Sequence, residues 1–475
     1  MTGDRAPGQF AGRTWLWIAL FAVTLPLVNP YVRGDGNGYY AYVRSAIIDG
    51  DLDFENEFRQ GDPSFRSYYF DADGTLRPDL RSRTGRVVNQ WAVGPALLWL
   101  PFFLAAHAAV GVVNLFGAGL PADGFSPVYR WACAIGTAIY GALALALAAR
   151  VAATLTTRRA AAIGALGIWW ASSLPVYMYF VPFHVHALSA FAVAVYLWCW
   201  LRWRPLEARR GRWLLWGAAA GLMIEVYHLN ALFLLIAAWE WTRDATRRRD
   251  GRDAWRSGAA FATGLVAALV PHAAVKWIVH GSPFMTGYLD EFIWEAPRLW
   301  QVGFSADHGL FVWTPVVAAA VAGLLLWWRA EPAVGRALTA TFALFYYVVA
   351  SYQNWHGLSS FGNRFFLSFT FVFVVGLALC VAGVERAGAR RLARAVVPAV
   401  AVAIVWNLGF MYQWGANIVP SRGPVDFRDV ARNQVTVVPQ HLGGFLWRYL
   451  TDRGALTRDV ERQDDVERRN YDHKR

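Results

Sequence analysis

The sequence predicts an all-α polytopic membrane protein, and three observations carry that prediction. Charged residues make up only 16% of the 475-residue chain, where a soluble domain carries about a quarter. Hydrophobic residues make up 56%, in several stretches that approach or exceed the roughly 20 apolar residues needed to cross a bilayer. Short arginine clusters punctuate these stretches and hold most of the net charge of +12. That distribution is a topology signal. It lacks the basic face or tail of a nucleic-acid binder, so no nucleic-acid partner is expected.

Arg5 and Arg13 precede an apolar run, Trp15 to Val28, with no small-residue cleavage site after it, so 14–32 reads as an uncleaved first span. Arginine clusters follow at Arg158-Arg159, Arg202 to Arg212, Arg243 to Arg256, Arg329 to Arg336 and Arg386 to Arg394. If all are cytoplasmic, each successive pair encloses a hairpin of two crossings. The segments 160–181 with 183–201, 213–227 with 229–242, 258–279 with 309–328, and 337–352 with 365–383 supply them.

A parity problem arises before Arg158. One crossing is needed there, and two apolar stretches compete for it. Stretch 91–116 contains Gly94-Pro95 and Pro101, which interrupt regular helix, whereas 128–155 is unbroken. Stretch 128–155 is therefore assigned as the span, and 91–116 as a broken segment in the outer interface or re-entering. The alternative is that both cross and Arg158-Arg159 lies outside. With a last helix at 394–413 the count is about eleven spans in one domain, 1–413, with a first outer loop at about 33–127. The N-terminus is then cytoplasmic, and a polar tail, 414–475, lies outside with a charged, disordered end. The expected location is the inner (plasma) membrane. Cys133, Cys199 and Cys380 all fall in apolar segments, as small core residues rather than disulfide or metal ligands.

This topology gathers most polar and ionisable residues at one face, where intramembrane charge usually marks a pathway or site. The outer face receives Arg33-Gly34-Asp35-Gly36-Asn37-Gly38-Tyr39-Tyr40 and the acids Asp49, Asp51, Asp53, Glu55 and Glu57, of which Asp49, Asp51 and Asp53 read as loop solvation. It also receives Tyr177 to His186, Glu225 to Asn230, Gly281 to Tyr288, Ser351 to Gly357 and Phe361 to Arg364. Asp35 either caps a helix opening near Gly38 or serves as a site carboxylate. His184 and His186 sit at a helix start, where i and i+2 do not share a face; hydrogen bonding to substrate is favoured over metal ligation. Glu225 and His228 are one helical turn apart and either satisfy each other or contact substrate. Arg364 stands on the outer side against the positive-inside trend, as a phosphate fork or a snorkelling anchor. Trp355, beside Gln353, Asn354 and His356, suits a sugar face.

The arrangement resembles the GT-C superfamily of polytopic glycosyltransferases, in particular its protein mannosyltransferase-like and lipid A aminoarabinose transferase-like members. Asp35, followed by Tyr39-Tyr40 and Arg44, stands where those enzymes carry the acid of the first outer loop. Gly94-Pro95-Ala96-Leu97-Leu98-Trp99 lies where they have a juxtamembrane helix, and Arg130 where an arginine opens the next span. Phe361-Gly362-Asn363-Arg364-Phe365-Phe366 looks like their Gly-x-Arg segment. The resemblance implies transfer of a sugar from a polyprenyl-phosphate donor, with inversion, to a glycan, lipid or protein acceptor. Asp35 is then the general base, and Arg364 or Arg44 stabilises the leaving phosphate. The pattern departs where relatives carry a second-loop acid and this chain has His184 and His186. It departs again where their lysine is replaced by Glu225, Tyr227 and His228. No cofactor is expected; a divalent metal is compatible, but no dedicated cage is visible. The competing readings are a transporter or flippase and a non-catalytic subunit of envelope-glycan assembly.

Overall fold

The computed structural model describes residues 8–204, 209–247, 251–284, 291–388 and 390–472. Among these residues the chain is all helix and loop, broken only by isolated β-bridges. The first helix, α1 (Gly8–Thr24), leads through a short 3-10 turn into the long first loop. That loop carries α2 (Asp35–Arg44), α3 (Glu55–Arg59) and α4 (Pro63–Tyr69). The bundle follows as α5 (Gly94–Leu115), α6 (Pro127–Leu155), α7 (Arg158–Ala171), α8 (His186–Trp203), α9 (Arg210–Val226), α10 (Leu234–Arg247) and α11 (Gly251–His280). Two short helices, α12 (Leu299–Phe304) and α13 (Leu310–Trp313), precede α14 (Pro315–Ala330), α15 (Pro332–Ser351), α16 (Thr370–Arg386) and α17 (Arg390–Gly415). Three more close the chain: α18 (Phe427–Thr436), α19 (Val438–Thr451) and α20 (Arg453–Asp472).

Among the described residues six helices are long and apolar enough to cross a membrane, so the chain is a helical membrane protein. The arginine clusters meet at one end of the bundle. Arg159 pairs with Glu385 at 2.6 Å, and Arg204 with Glu240 at 2.9 Å and Glu331 at 3.4 Å. The first loop packs over the other end. Helix α16 is the centre, its span 94% buried, and it crosses α14 at backbone contact. A Cβ added at Gly323 would lie 1.7 Å from the carbonyl oxygen of Gly376.

Two expectations change. Stretch 91–116 is an unbroken helix, α5, rather than a broken segment. Pro95 sits in its first turn, where a missing N–H costs nothing. Pro101 is interior and removes the ladder bond to the Leu97 carbonyl, yet the helix runs on through it, packed against α6, whose Tyr140 hydroxyl donates to the Leu98 carbonyl at 3.0 Å. The segment expected as a polar tail with a disordered end is helical as far as Asp472. Tyr449 in α19 donates to the Leu27 carbonyl at 2.8 Å, and the Tyr31 hydroxyl donates to Glu461 in α20 at 3.1 Å, so these helices fold back beside the start of the first loop.

Candidate active site

The glycine-flanked acid at the start of α2 is placed by three local requirements. Gly34, the N-cap residue, has φ +55°, a backbone that side chains rarely adopt. A Cβ at Gly36 would stand 2.7 Å from Phe183, and one at Gly38 would stand 2.0 Å from the Trp91 ring. Their absence lets α2 lie against both the 181–185 turn and the 89–91 segment. Asp35 is not a cap, since it occupies the first helical position and no side-chain cap bond forms. Asp62 does the tethering instead. Its Oδ1 accepts from the Gly34 N–H at 2.8 Å and the Asn37 amide at 2.7 Å, while Oδ2 accepts from the Phe65 N–H at 3.3 Å. The Asp35 carboxylate is thereby left for other partners.

Those partners arrive from far along the chain. Arg364 Nη2 lies 3.2 Å from Asp35 Oδ2, with the arginine side chain 14% exposed and the aspartate 38%. Arg364 Nη1 donates to His184 Nδ1 at 3.1 Å. A guanidinium only donates, so that ring nitrogen is an acceptor and any proton sits on Nε2. Arg364 Nε is buried without a partner. Tyr39, Tyr177 and Tyr227 surround the guanidinium, and the Trp91 indole lies beside the carboxyl. Burial pushes the Asp35 carboxyl up, but Arg364 and His184 outweigh it and hold the group below the usual carboxylate range. Its place at the positive end of α2 acts in the same direction.

His186 opens α8 and packs edge-on against Tyr177 at 4.9 Å and Tyr227 at 5.8 Å between ring centroids. His184 stands in the turn before it, 6.4 Å away, so the turn brings both rings to one wall despite their i, i+2 spacing. Among the described residues no group of three His, Cys, Asp or Glu is placed to hold a metal.

Other candidates lie elsewhere. Arg44 turns away to Asp49 and to Glu57 at 2.9 Å, and its Nε donates to the Asp123 carbonyl at 3.0 Å. The Tyr40 hydroxyl donates to the Gly124 carbonyl at 2.6 Å. Glu225 and His228 do not pair, because α9 ends at Val226 and Tyr227 is extended, with φ −151° and ψ 113°. Instead the His228 ring meets His272 of α11 edge-on at 5.0 Å, and Glu225 Oε1 is buried with no hydrogen-bond partner. Trp355 is only 5% exposed and His356 4%; they hold the loop before Arg364, the Trp355 carbonyl accepting from Asn363 at 3.1 Å and His356 Nδ1 from the Leu358 N–H at 3.1 Å. Met285 to Tyr288 lie outside the described residues.

Lys276 of α11 is not among the residues that the sequence singles out. It is 0% exposed, and its ammonium donates to the Tyr42 hydroxyl and to the Asn89 and Trp91 carbonyls at 2.9, 2.7 and 2.8 Å. Trp91, which stands beside Asp35, is thus fixed from the opposite side. The signal was present as His272, Lys276 and His280, a polar stripe at four-residue intervals in an apolar helix. The arrangement as a whole offers an ionised carboxylate open to solvent beside a buried guanidinium with a spare donor. No family model matches the chain, and neither does any curated protein or solved structure.

Proposed function

We propose that the chain is a membrane glycosyltransferase that moves a sugar from a polyprenyl-phosphate donor to an acceptor hydroxyl at the extracytoplasmic face. The observation that carries this reading is the Asp35–Arg364–His184 cluster at the end of the bundle opposite the arginines. Its chemistry fits both halves of a displacement. The acceptor oxygen attacks the anomeric carbon and yields its proton to Asp35. The carbon–oxygen bond to phosphate breaks, and the electron pair stays on the leaving phosphate, whose charge Arg364 meets in a poorly solvated site. Asp35 and the phosphate then share one guanidinium. As the phosphate takes part of it, Asp35 becomes more basic where a base is needed.

The topology supports the placement. The reading takes α1, α6 to α11 and α14 to α17 as eleven crossings that run alternately between the arginine end and the loop end, with a cytoplasmic N-terminus. Helix α5 is left out of that count because its middle meets the start of α6. His107 lies 2.8 Å from the Tyr129 hydroxyl, and beyond that point Leu115 and Phe116 are 84% and 86% exposed. That geometry suits a helix in the outer interface. The chemistry requires no cofactor.

The test is transfer and release from a panel of radiolabelled polyprenyl-phosphate sugars by the purified protein, beside Asp35→Asn. The expected loss is about 10²- to 10⁴-fold, with the acid limb of kcat at higher pH than that of kcat/KM. Equal turnover in both proteins removes Asp35 as the base. No turnover with any donor, from folded protein, favours a transporter or a structural subunit.

A further inference from the structure

Helix α19 has two apolar faces, and only one is covered. On the inner face Phe445 meets Tyr412 at 5.0 Å and Tyr449 meets Phe180 at 5.9 Å between ring centroids. On the outer face Leu446, Trp447 and Leu450 lie on one helical stripe and are 39%, 71% and 55% exposed. Single exposed apolar residues are ordinary, but a contiguous group with a tryptophan marks a contact surface.

The attachment of α19 indicates what covers that surface. Tyr449 donates to the Leu27 carbonyl, and Arg453 donates to the Pro26 carbonyl at 2.7 Å and to the Val28 carbonyl. These carbonyls lie just past the end of α1, whose Trp15, Ile18 and Val23 are 59%, 62% and 78% exposed, as residues facing acyl chains are. Val23 is about one helical turn, roughly 5 Å, below Leu27. The stripe of α19 therefore continues the lipid-facing surface of α1 at the depth where acyl chains give way to headgroups, the depth that tryptophan favours. Arg448, the charged residue of α19 beside the stripe, pairs with Asp459 of α20.

We propose that α19 lies in the outer leaflet as an interfacial helix, with Leu446, Trp447 and Leu450 inserted among phospholipid chains. Through its Tyr449, and through Arg453 at the start of α20, it is fastened to residues 26–28, a few positions before Asp35, so the leaflet itself steadies the start of the first loop. This proposal needs only the membrane reading and stands whether or not the chain transfers sugar.

The test uses the full-length protein in vesicles of phosphatidylethanolamine and phosphatidylglycerol, spin-labelled at Trp447→Cys or, for comparison, at Arg458→Cys on α20. Both are made on Cys380→Ser, because Cys380 is half-buried whereas Cys133 and Cys199 are buried; that parent protein supplies the background, and size-exclusion profiles confirm folding. Labels in lipid are broadened more by oxygen than by a water-soluble nickel chelate. The expected result is oxygen over nickel at 447 and the reverse at 458. Nickel equal to or above oxygen at 447 overturns the proposal in favour of a water-facing helix. Protection from both, with spin–spin broadening between labels, overturns it in favour of a second copy of the chain covering the stripe.

Discussion

Gly38→Ala separates the roles of α2 in stability and in chemistry. The added Cβ would stand 2.0, 2.3 and 2.7 Å from three atoms of the Trp91 ring, where ordinary contact begins at 3.4 Å. Ring or helix must therefore retreat by about 1.4 Å, the difference between 3.4 Å and the shortest of those approaches, 2.0 Å. The ring has little freedom, since Phe65 packs on it at 5.3 Å and Tyr39 at 6.5 Å. Its backbone is tied by Lys276 at 2.8 Å and by Asn89 at 3.2 Å. So α2 moves, and Asp35, three residues earlier, moves with it. Overpacking costs about 1–3 kcal/mol, while alanine in a helix interior returns about 1 kcal/mol, which leaves a modest loss of stability. A displacement of about 1 Å at the reacting groups costs on the order of 10²-fold in rate. The expected signature is a small fall in Tm with a large fall in the proposed sugar transfer, measured by thermal unfolding in detergent and by the transfer assay. Gly111→Ala on α5 is the control, because nothing lies within 4 Å of its added Cβ. A Gly38→Ala protein with full activity and undiminished Tm would refute the reasoning.

Glu57 is held up to about 7 by burial, which outweighs the Arg44 guanidinium beside it. A carboxyl raised in this way contributes stability that is complete below about pH 4.5 and gone once pH passes about 7. Wild type should lose on the order of 3 kcal/mol between those limits from this group, at about 1.4 kcal/mol per pH unit. Thermal unfolding of Glu57→Gln at pH 5 and pH 8 should show a flatter dependence; the same slope as wild type would remove Glu57 as its source. Gly323→Ala drives a methyl into the Gly376 carbonyl and should cost at least about 3 kcal/mol, the upper end of overpacking, read as a lower unfolding temperature on size-exclusion. A wild-type value would mean that α14 and α16 are not at backbone contact. Asp62→Ala releases the Gly34 and Asn37 tethers and should cost about 1–2 kcal/mol, with faster proteolysis of the first loop; unchanged cleavage would show that the loop is held by other means.

Charge placement made the bundle legible, because ion pairing is a direct consequence of where arginines can reside. The arginine clusters read as one side, and ion pairs join neighbours among them: Arg159 meets Glu385, Arg204 meets Glu331, and Arg204 and Arg243 share Glu240. Asp35 and Arg364 were both singled out, but nothing in their spacing joins two residues so far apart; only the packing of α2 against the 181–185 turn does. Arg44 misled because its partners come from the acid cluster of its own loop, Asp49 and Glu57, and Asp49 reads as loop solvation. Helical spacing misled at Glu225 and His228, since a helix that stops one residue after the first of them loses its period. Pro101 hid α5, because an interior proline reads as a break in the sequence, whereas a helix packed against a neighbour can run through it.

The partnership between Asp35 and Arg364 also has a history in time. At a synthesis rate of about 5–20 residues per second, the ribosome needs roughly 15–65 seconds to travel from one to the other. For that interval the carboxylate has been delivered but its counter-charge has not, and the helices that clasp residues 26–31 come later still. The nascent first loop must wait as a solvated, half-packed hairpin, exposed to proteases and to chance partners. Its closure is therefore among the last events of biogenesis, and truncation anywhere before Phe361 leaves the acid permanently unpaired.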